Sequence, residues 1–206
     1  SCSFCADGLK MKNKIHRYDP DRTVEELSYI ANHVKNVDEL IITDLNFGMY
    51  KQDMETAKEI ANIQKNYNYP ISVDAPAGKN MPKRIINIAS TIKGWSMGGV
   101  IQSSDPDVLK AIKRSNISIS AYEDLIDFGN KQKANRTYTE IIVGLPSDTK
   151  EKHFESLRLG IEKSVNNLRM HQAMLLTGTE MASKRDREKY GLVTKFRTIP
   201  GSVGNY

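Results

Sequence analysis

Short apolar runs of strand length alternate along this chain with longer segments in which apolar residues recur every three or four positions. The first pattern indicates strands, and the second indicates helices with one buried face. The strand candidates are residues 39–44, 71–74, 95–102, 139–143 and 168–176. Helix candidates begin near residues 23, 53, 82, 106, 120, 149 and 180. Strands separated by helices in this way are typical of parallel βαβ units.

Residues at the predicted element ends support this division. A capping-box spacing, in which a Ser, Thr or Asp is followed by Glu three residues later, predicts three helix starts. The three pairs are Thr23 with Glu26, Ser120 with Glu123, and Asp148 with Glu151. Asp105-Pro106 predicts a fourth start, with Asp105 as N-cap. The unbroken run Leu40-Ile41-Ile42 predicts a strand that is buried on both faces.

A parallel barrel or part-barrel is the predicted architecture. An open Rossmann-like sheet is the alternative, but no GxGxxG sequence follows any strand. Ligands of parallel barrels bind at the carboxyl ends of the strands, so the residues just after each strand are the candidate site. These residues are Asp44 and Asn46, Asp74, Gln102 and Ser103, Gly144 and Ser147, and Thr177 and Gly178.

Composition adds limits rather than a function. The chain has 206 residues, 39% hydrophobic and 27% charged, and no stretch is long and apolar enough for a membrane span. Its formal net charge of +5 is compatible with nucleic acid, but there is no dense basic run and no basic patch interleaved with aromatic residues.

The two cysteines, Cys2 and Cys5, form a CxxC pair beside the first residue, Ser1. A chain that starts without Met on such a pair is expected to be a piece of a longer protein. No apolar signal-peptide region follows, which favours a cytoplasmic location, where CxxC more often binds metal or exchanges electrons than forms a structural disulfide.

Cys2 and Cys5 alone leave two interpretations open. They could be half of a zinc site, which His16 or His33 could in principle complete, although His33 falls on the first predicted helix with no ligand-like spacing to the pair. They could also be a redox dithiol, although Ala6-Asp7-Gly8 does not resemble the helix start that such a dithiol needs.

Further along the chain, ordered motifs resemble the radical S-adenosylmethionine (radical SAM) superfamily. Cys2-Ser3-Phe4-Cys5 resembles the last two cysteines of its C-x3-C-x2-C hallmark, with the first expected before this chain begins. The other matching stretches are Arg17-Tyr18-Asp19, Asp44-Leu45-Asn46-Phe47, Gln102-Ser103 with Val108 to Arg114, Ile142 to Thr149, and Thr177-Gly178-Thr179. The stretch Ile142 to Thr149 departs from the family pattern at Ser147-Asp148, and the last stretch has lost a Pro.

The resemblance implies an α/β fold, a partial parallel (β/α)6 barrel, of which this chain would lack the first strand. Residues 1–177 would form the core, and 178–206 a helical and irregular extension of it. The implied cofactors are a 4Fe-4S cluster and S-adenosylmethionine, which the cluster cleaves reductively to a 5′-deoxyadenosyl radical. A flavodoxin or ferredoxin type of protein would supply electrons, and the substrate is unknown. With only two cluster cysteines, the chain as given is expected to be inactive.

The resemblance also assigns roles to single residues. Cys2 and Cys5 would bind the cluster. The cofactor S-adenosylmethionine would be held by Phe4, Thr43, Asp44, Asn46, Gln102, Ser103, Gly144, Leu145, Leu176 and Thr177. Structural roles remain open for several of these residues: packing for Phe4, capping of the next helix for Asp44, and turns for Ser103 and Gly144. Asp74 is either a substrate contact or a structural group. Arg114 fits an ordinary cation at a helix C-terminus, although matching arginines in the superfamily can reach a carboxylate.

Two branches of the superfamily remain in view. Cobalamin-binding members carry a cobalamin domain upstream, whereas methylthiotransferases carry a tRNA-binding domain downstream. Asp44-Leu45-Asn46-Phe47 and Arg197-Thr198-Ile199-Pro200 favour the cobalamin type.

Overall fold

Helices and strands alternate through the chain as the hydrophobic pattern predicts. The computed structural model describes residues 2–9, 11–12, 14–78, 81–132 and 136–196. The strands are β1 (Glu39–Ile41), β2 (Ser72–Asp74), β3 (Met97–Gly98), β4 (Thr137–Val143) and β5 (Asn167–Gln172). The α-helices are α1 (Pro20–His33), α2 (Asp53–Tyr67), α3 (Pro82–Thr91), α4 (Pro106–Ala111), α5 (Ile119–Lys131), α6 (Lys150–Glu162) and α7 (Lys184–Tyr190), and a short 3-10 helix, Ala6–Gly8, follows the cysteine pair.

The first helix starts earlier than its capping-box motif predicts. Asp19, not Thr23, is the N-cap of α1, and its carboxylate accepts a hydrogen bond from the Asp21 N–H at 3.0 Å. Pro20 explains the difference, because its fixed φ angle suits the first helical position. At α4 the prediction is confirmed, since the Asp105 carboxylate accepts from the Asp107 and Val108 N–H groups.

Two further predicted caps are displaced by one or two residues. Ser118 caps α5 ahead of Ser120, and its hydroxyl accepts from the Ala121 N–H. Thr149 caps α6 in place of Asp148, because Thr149 has the extended backbone that a cap requires. The Asp148 backbone is held one residue earlier in a turn, where its N–H donates to the Leu145 carbonyl.

All strand pairs are parallel, and the strands lie in chain order. β1 pairs with β2, and β3 with β4 and β5. A single bridge between Val73 and Trp95 joins the two groups, through hydrogen bonds from the Val73 N–H to Gly94 and from the Ser96 N–H to Val73. The fold is therefore α/β with parallel strands. Among the described residues, β5 forms no ladder with β1, so the sheet does not close into a barrel.

The predicted third strand, 95–102, is regular only at Met97–Gly98. The Tyr138 ring lies over Gly98, where an added Cβ would come within 2.3 Å of Cζ. At the other end, Gln102 has a φ of +61° and keeps only one bridge to β4. The chain therefore leaves the sheet just where the candidate site begins.

At β1 and β2, one face of the sheet is covered by helices and the other is exposed at Ile41. Leu40 and Val73 pair in register and belong to the main core, beneath α2 and α3. Ile41 and Asp74 pair on the opposite face, where Ile41 is 62% exposed. The prediction that the Leu40–Ile42 run is buried on both faces is therefore wrong, because no described element covers the open face at Ile41.

The segment beyond the last strand contains a short helix, α7, within the predicted 180–190 region. Glu180 ties this segment to the rest of the domain, because its carboxylate lies 2.5 Å from the Lys113 ammonium and 2.6 Å from the Arg185 guanidinium. Arg197-Thr198-Ile199-Pro200 lies outside the described residues. Within the described ranges, no helix is both long and apolar enough to cross a membrane.

Candidate functional site

The cysteine loop is a tight turn held in place by its central residue. The Cys5 N–H donates to the Cys2 carbonyl at 3.3 Å, and both thiols are free and half-buried. The Ser3 N–H donates to Ile112 at the end of α4, and the Ser3 carbonyl accepts from the Met181 N–H, each at 2.9 Å. The loop is therefore fixed between α4 and the segment leading to α7.

Arg114 lies directly behind this loop. Its residue is only 8% exposed, and its Nη1 points to the Cys2 Sγ at 3.9 Å. The Nε donates to the Asn116 side-chain oxygen at 2.9 Å, and Nη2 donates to the Val100 carbonyl. Arg114 follows the end of α4, as the interpretation of a cation at a helix end expects, but the chain turns its guanidinium inward beside a cysteine.

Gln102 occupies a strained turn at the end of β3. The Ser103 N–H donates to the Ile101 carbonyl at 2.7 Å, which makes Gln102 the centre of a γ-turn with positive φ, a rare and strained conformation. The side-chain Oε1 is buried and has no hydrogen-bond partner, and the same is true of the Ser3 hydroxyl. Buried polar atoms without partners are uncommon in native proteins, and they are suited to receiving a ligand.

Ser103 is buried and its hydroxyl accepts from the Asp105 N–H at 3.2 Å, which gives it the turn role that the sequence left open. Its carbonyl accepts from the Asn116 amide at 2.9 Å. Ser104 then binds the Ser156 hydroxyl of α6 through its own N–H at 2.9 Å. These contacts fix the β3–α4 connection against both the Arg114 segment and α6.

The Asp105 cap steadies the helix under the cysteine loop. Its carboxylate accepts from two backbone N–H groups of α4 and from the Lys152 ammonium at 3.0 Å. Burial alone would raise the pKa of Asp105, but the hydrogen bonds from Val108 and Lys152 outweigh it, so the pKa is lowered.

An apolar cluster forms the floor of the site. Phe4 packs against a buried group made of Val108, Ile112, Ile142 and Leu145. The structure therefore brings Phe4 and Leu145, both predicted site residues, to the same place, where Phe4 also has the packing role that was its alternative.

Gly144 follows the end of β4 and has a backbone conformation that favours glycine. Gly144 has a φ of +81°, and a Cβ added there would meet nothing within 4 Å. Its glycine identity is thus required by the backbone conformation, while space beside it stays open for a ligand. Ser147 also has a positive φ, +66°, at the position where the family motif carries Gly.

The turn after β5 approaches the cysteine loop from the other side. Leu176 and Thr177 are exposed, and the Leu176 carbonyl accepts from both the N–H and the hydroxyl of Thr179. Gly178 lies beside Leu9, since an added Cβ would be 3.7 Å from a Leu9 methyl group.

The Thr43–Asn46 segment stands apart from these groups. Asp44 accepts from the Asn46 N–H at 2.8 Å and so closes its own turn, while α2 begins only at Asp53. Asp44 therefore does not cap the following helix. Thr43 is exposed and Asn46 half-buried. No hydrogen bond joins this segment to the cysteine loop in the part of the chain that the structure covers.

Sequence reasoning missed a charged group formed by side chains of β4 and β5. Tyr138 and Glu140 of β4 face Arg169 of β5, whose guanidinium lies 3.9 Å from the Tyr138 ring centroid and 3.6 Å from the Glu140 carboxylate. Burial, with Glu140 and Asp74 nearby, raises the pKa of Tyr138 to about 12, although Arg169 opposes the shift. Residues 137–140 read Thr-Tyr-Thr-Glu, so no alternation of polar and apolar residues marked this group in the sequence.

The candidate metal ligands among the described side chains are the two thiols, Cys2 and Cys5. No set of three or more His, Cys, Asp or Glu side chains in the described ranges is arranged to hold a metal ion. Neither His16 nor His33 completes a site with the cysteines, and the His33 Nδ1 is hydrogen-bonded to the Tyr29 carbonyl. Two half-buried thiols beside a buried cation and two unpartnered polar atoms do suit an iron–sulfur cluster with a polar ligand next to it.

Comparison with curated proteins finds relatives along nearly the whole chain. TokK of Streptomyces tokunonensis, a cobalamin-dependent radical SAM methyltransferase, is 30% identical over 97% of the chain. The 2-(S-pantetheinyl)-carbapenam-3-carboxylate methyltransferase of Streptantibioticus cattleyicolor is 28% identical over 97%. A probable threonylcarbamoyladenosine tRNA methylthiotransferase of Archaeoglobus fulgidus is 25% identical over 90%. The chain spans 29% of the length of the first two and 45% of the third.

Solved structures show a similar fold. TsrM of Kitasatospora setae, a radical S-adenosylmethionine methyltransferase with cobalamin and a 4Fe-4S cluster bound, has a TM-score of 0.69 at 16% identity. It covers 97% of this chain, which corresponds to 36% of TsrM. Coproporphyrinogen III oxidase HemN of Escherichia coli, a radical SAM enzyme, has a TM-score of 0.57 at 17% identity and covers 90% of this chain and 44% of HemN. No family model matches the chain.

Proposed function

We propose that this chain, whose resemblance to the radical SAM superfamily the curated relatives confirm, is the cofactor-binding core of a cobalamin-type radical SAM methyltransferase. The two relatives with the higher identities are methyltransferases, and the tRNA methylthiotransferase relative is the more distant. The methyltransferase branch therefore fits better than the methylthiotransferase alternative. We place the core at residues 1–177, arranged as part of a parallel barrel, with the remainder as an extension.

Cys2 and Cys5 are the proposed cluster ligands, and a third thiolate would come from outside these 206 residues. When bound, the cluster and S-adenosylmethionine would supply one-electron reductive cleavage of a carbon–sulfur bond. The tight Cys2–Cys5 turn keeps the two thiols on one loop, and the two hydrogen bonds of Ser3 keep that loop against α4. The chain thus prepares the position of the cluster before any metal arrives.

Around the cysteine loop, different predicted residues would make different kinds of contact with S-adenosylmethionine. Gln102 and Ser3 offer buried polar oxygens without partners, so they can accept or donate hydrogen bonds to a polar ligand. Phe4 packs against the apolar cluster that contains Leu145, so the two residues offer an apolar surface to the ligand. Gly144 leaves open space beside the backbone. Ser103 fixes the β3–α4 connection, and the remaining predicted residues at the strand ends complete the set: Thr43, Asp44, Asn46, Leu176 and Thr177.

The observation that carries the proposal is a buried arginine that joins the cysteine loop to the chain just before the strained turn. Arg114 contacts the Cys2 Sγ at 3.9 Å and donates to the carbonyl of Val100, two residues before Gln102. A zinc or dithiol module would need only the cysteine pair, and would give no reason for the strained turn and the unpartnered oxygen beside it. Cobalamin would be held by another part of the protein, and a flavodoxin or ferredoxin type of donor would supply electrons.

The test compares cysteine variants of the full-length protein after anaerobic reconstitution with iron and sulfide. The unsubstituted protein should bind about four iron ions and consume S-adenosylmethionine when reduced. Cys2→Ala and Cys5→Ala should each lose the cluster, whereas Lys14→Ala, an exposed control in the same region, should keep it.

Metal content distinguishes the alternatives in the same samples. Zinc without iron in the unsubstituted protein would support the zinc module and overturn the proposal. An intact cluster in both cysteine variants would equally contradict it. The expected activity is cobalamin-dependent methyl transfer to a substrate, rather than sulfur insertion into tRNA.

A further inference from the structure

Arg114 is a buried cation whose usual counter-charge is missing. Its residue is 8% exposed, and in the part of the chain that the structure covers no Asp or Glu oxygen lies within 4.0 Å of its guanidinium. Its partners are the amide oxygen of Asn116, the carbonyl of Val100 and the Sγ of Cys2. The first two partners are neutral, so the Cys2 sulfur is the one partner that can carry a negative charge.

Other arginines of the fold behave differently. Arg169 and Arg185 are more exposed, and each lies within hydrogen-bonding or ion-pair distance of a carboxylate. A buried charge without an opposite charge is strongly unfavourable, so a guanidinium in this position indicates that an anion belongs beside it. Arg114 therefore places the positive charge of its guanidinium beside the Cys2 sulfur.

The position of this charge is fixed by the backbone and by a second side chain. The Arg114 N–H donates to Leu109 at 2.9 Å, which closes the turn after α4. Asn116, which accepts from the Arg114 Nε, is itself held by the Ser103 carbonyl at 2.9 Å. The guanidinium therefore cannot swing into solvent without breaking contacts on three sides.

We propose that Arg114 is a positioning residue that sets the reduction potential of the cluster by holding a fixed positive charge against the Cys2 ligand. This inference rests on the proposed function, because it needs a cluster at Cys2 and Cys5. A thiolate-ligated cluster becomes more negative by one unit when it accepts an electron from the flavodoxin or ferredoxin type of donor. A nearby positive charge favours the more negative state, so it raises the potential and eases this one-electron reduction.

The charge, rather than the shape, of residue 114 is what matters in this account. Arg114→Lys retains a positive charge and should leave the potential close to that of the unsubstituted protein. Arg114→Gln removes the charge and should lower the equilibrium constant for cluster reduction by about tenfold, which is roughly 59 mV for one electron. Asn116→Asp places a carboxylate beside the guanidinium and should lower the potential in the same direction.

The experiment is a redox titration of the reconstituted full-length protein, followed by electron paramagnetic resonance of the reduced cluster. Arg185→Gln is the matched control, because it removes an arginine that is already paired with carboxylates away from Cys2. The proposal expects lower potentials in Arg114→Gln and Asn116→Asp, and unchanged potentials in Arg114→Lys and Arg185→Gln. Thermal stability is measured in parallel, since a purely structural role would lower it without moving the potential.

Each outcome has a definite meaning. A cluster that assembles in all variants with one common potential overturns the role of Arg114 and leaves the proposed function intact. If Arg114→Gln does not fold, Asn116→Asp decides alone, and an unchanged potential in that variant overturns the inference. If no variant assembles a cluster, including the unsubstituted protein, the proposed function itself fails.

Discussion

Replacing Gln102 by glycine should leave the protein more stable than replacing it by alanine. Both substitutions remove the side-chain amide, so they differ only in the Cβ atom. At most positions alanine is the more stable of the two, because glycine has more conformational freedom to lose on folding. Gln102 is different, since its φ of +61° and the short hydrogen bond from Ser103 to Ile101 define a turn that penalises any Cβ.

The expected difference follows from two opposing terms. Sparsely populated backbone conformations cost a residue with a Cβ on the order of 1–3 kcal/mol. Glycine avoids this cost, but its greater freedom in the unfolded chain destabilises the folded state by about 0.5–1 kcal/mol relative to alanine. The glycine variant should therefore be more stable than the alanine variant by about 1 kcal/mol. In a chain of this size that corresponds to a difference of roughly 2–4 °C in Tm.

The assay is urea unfolding of the purified protein, followed by circular dichroism, with the same pair of substitutions made at Lys58 as a control. Lys58 is an exposed residue inside α2, where glycine should be less stable than alanine by about 1 kcal/mol. The order of the two substitutions should thus invert between the two sites. If alanine is as stable as glycine at position 102, the turn carries no strain and the reasoning fails.

Three other substitutions test the surroundings of the site by thermal or urea unfolding. Gly98→Ala should destabilise the protein by about 1–3 kcal/mol, because the new Cβ would come within 2.3 Å of the Tyr138 ring, and Tyr138→Leu in the same chain should recover part of the loss. Asp105→Ala should cost about 1–2 kcal/mol, whereas Asp105→Asn, which can still cap α4, should cost less. Because the pKa of Asp105 is lowered, its stabilising effect should be complete above about pH 4 and be lost as the pH falls through that lowered pKa; equal acid sensitivity in Asp105→Asn would contradict this. Trp95→Phe should cost about 1–3 kcal/mol, because it leaves the Ala75 carbonyl buried without the Trp95 N–H donor; no loss would show that this bond is dispensable.

The local sequence pattern predicted much of the fold because neighbouring residues determine it. The order of helices and strands, the Asp105 cap and the parallel pairing all follow from periodicity, capping residues and chain order. The caps of α5 and α6 were misplaced because two suitable residues stand close together, and only the backbone path chooses between them. Ile41 was misjudged because apolar character alone does not reveal which face of a sheet is left uncovered.

The candidate site was predictable as a set of strand-end residues but not as a set of contacts. Cys2, Phe4, Gln102 and Leu145 were identified by their place in motifs, and the structure gathers them at the ends of β3 and β4. The position of Arg114 was not predictable, because it depends on a contact with Cys2, which lies far from Arg114 in the sequence. A helix-end cation has the same local sequence whether it faces solvent or a buried sulfur.

The two hydrogen bonds of Ser3 connect the cysteine loop to segments that are far away in the sequence. One reaches the residue that ends α4, and the other reaches Met181, close to the far end of the described chain. Contacts between such distant residues form late in folding, since long loops must close first. The hydrogen bond between Ser3 and Met181 can therefore form only when the segment after β5 is in place. If the proposed cluster binds at Cys2 and Cys5, its loop would be held on both sides only in a chain that has folded as far as Met181.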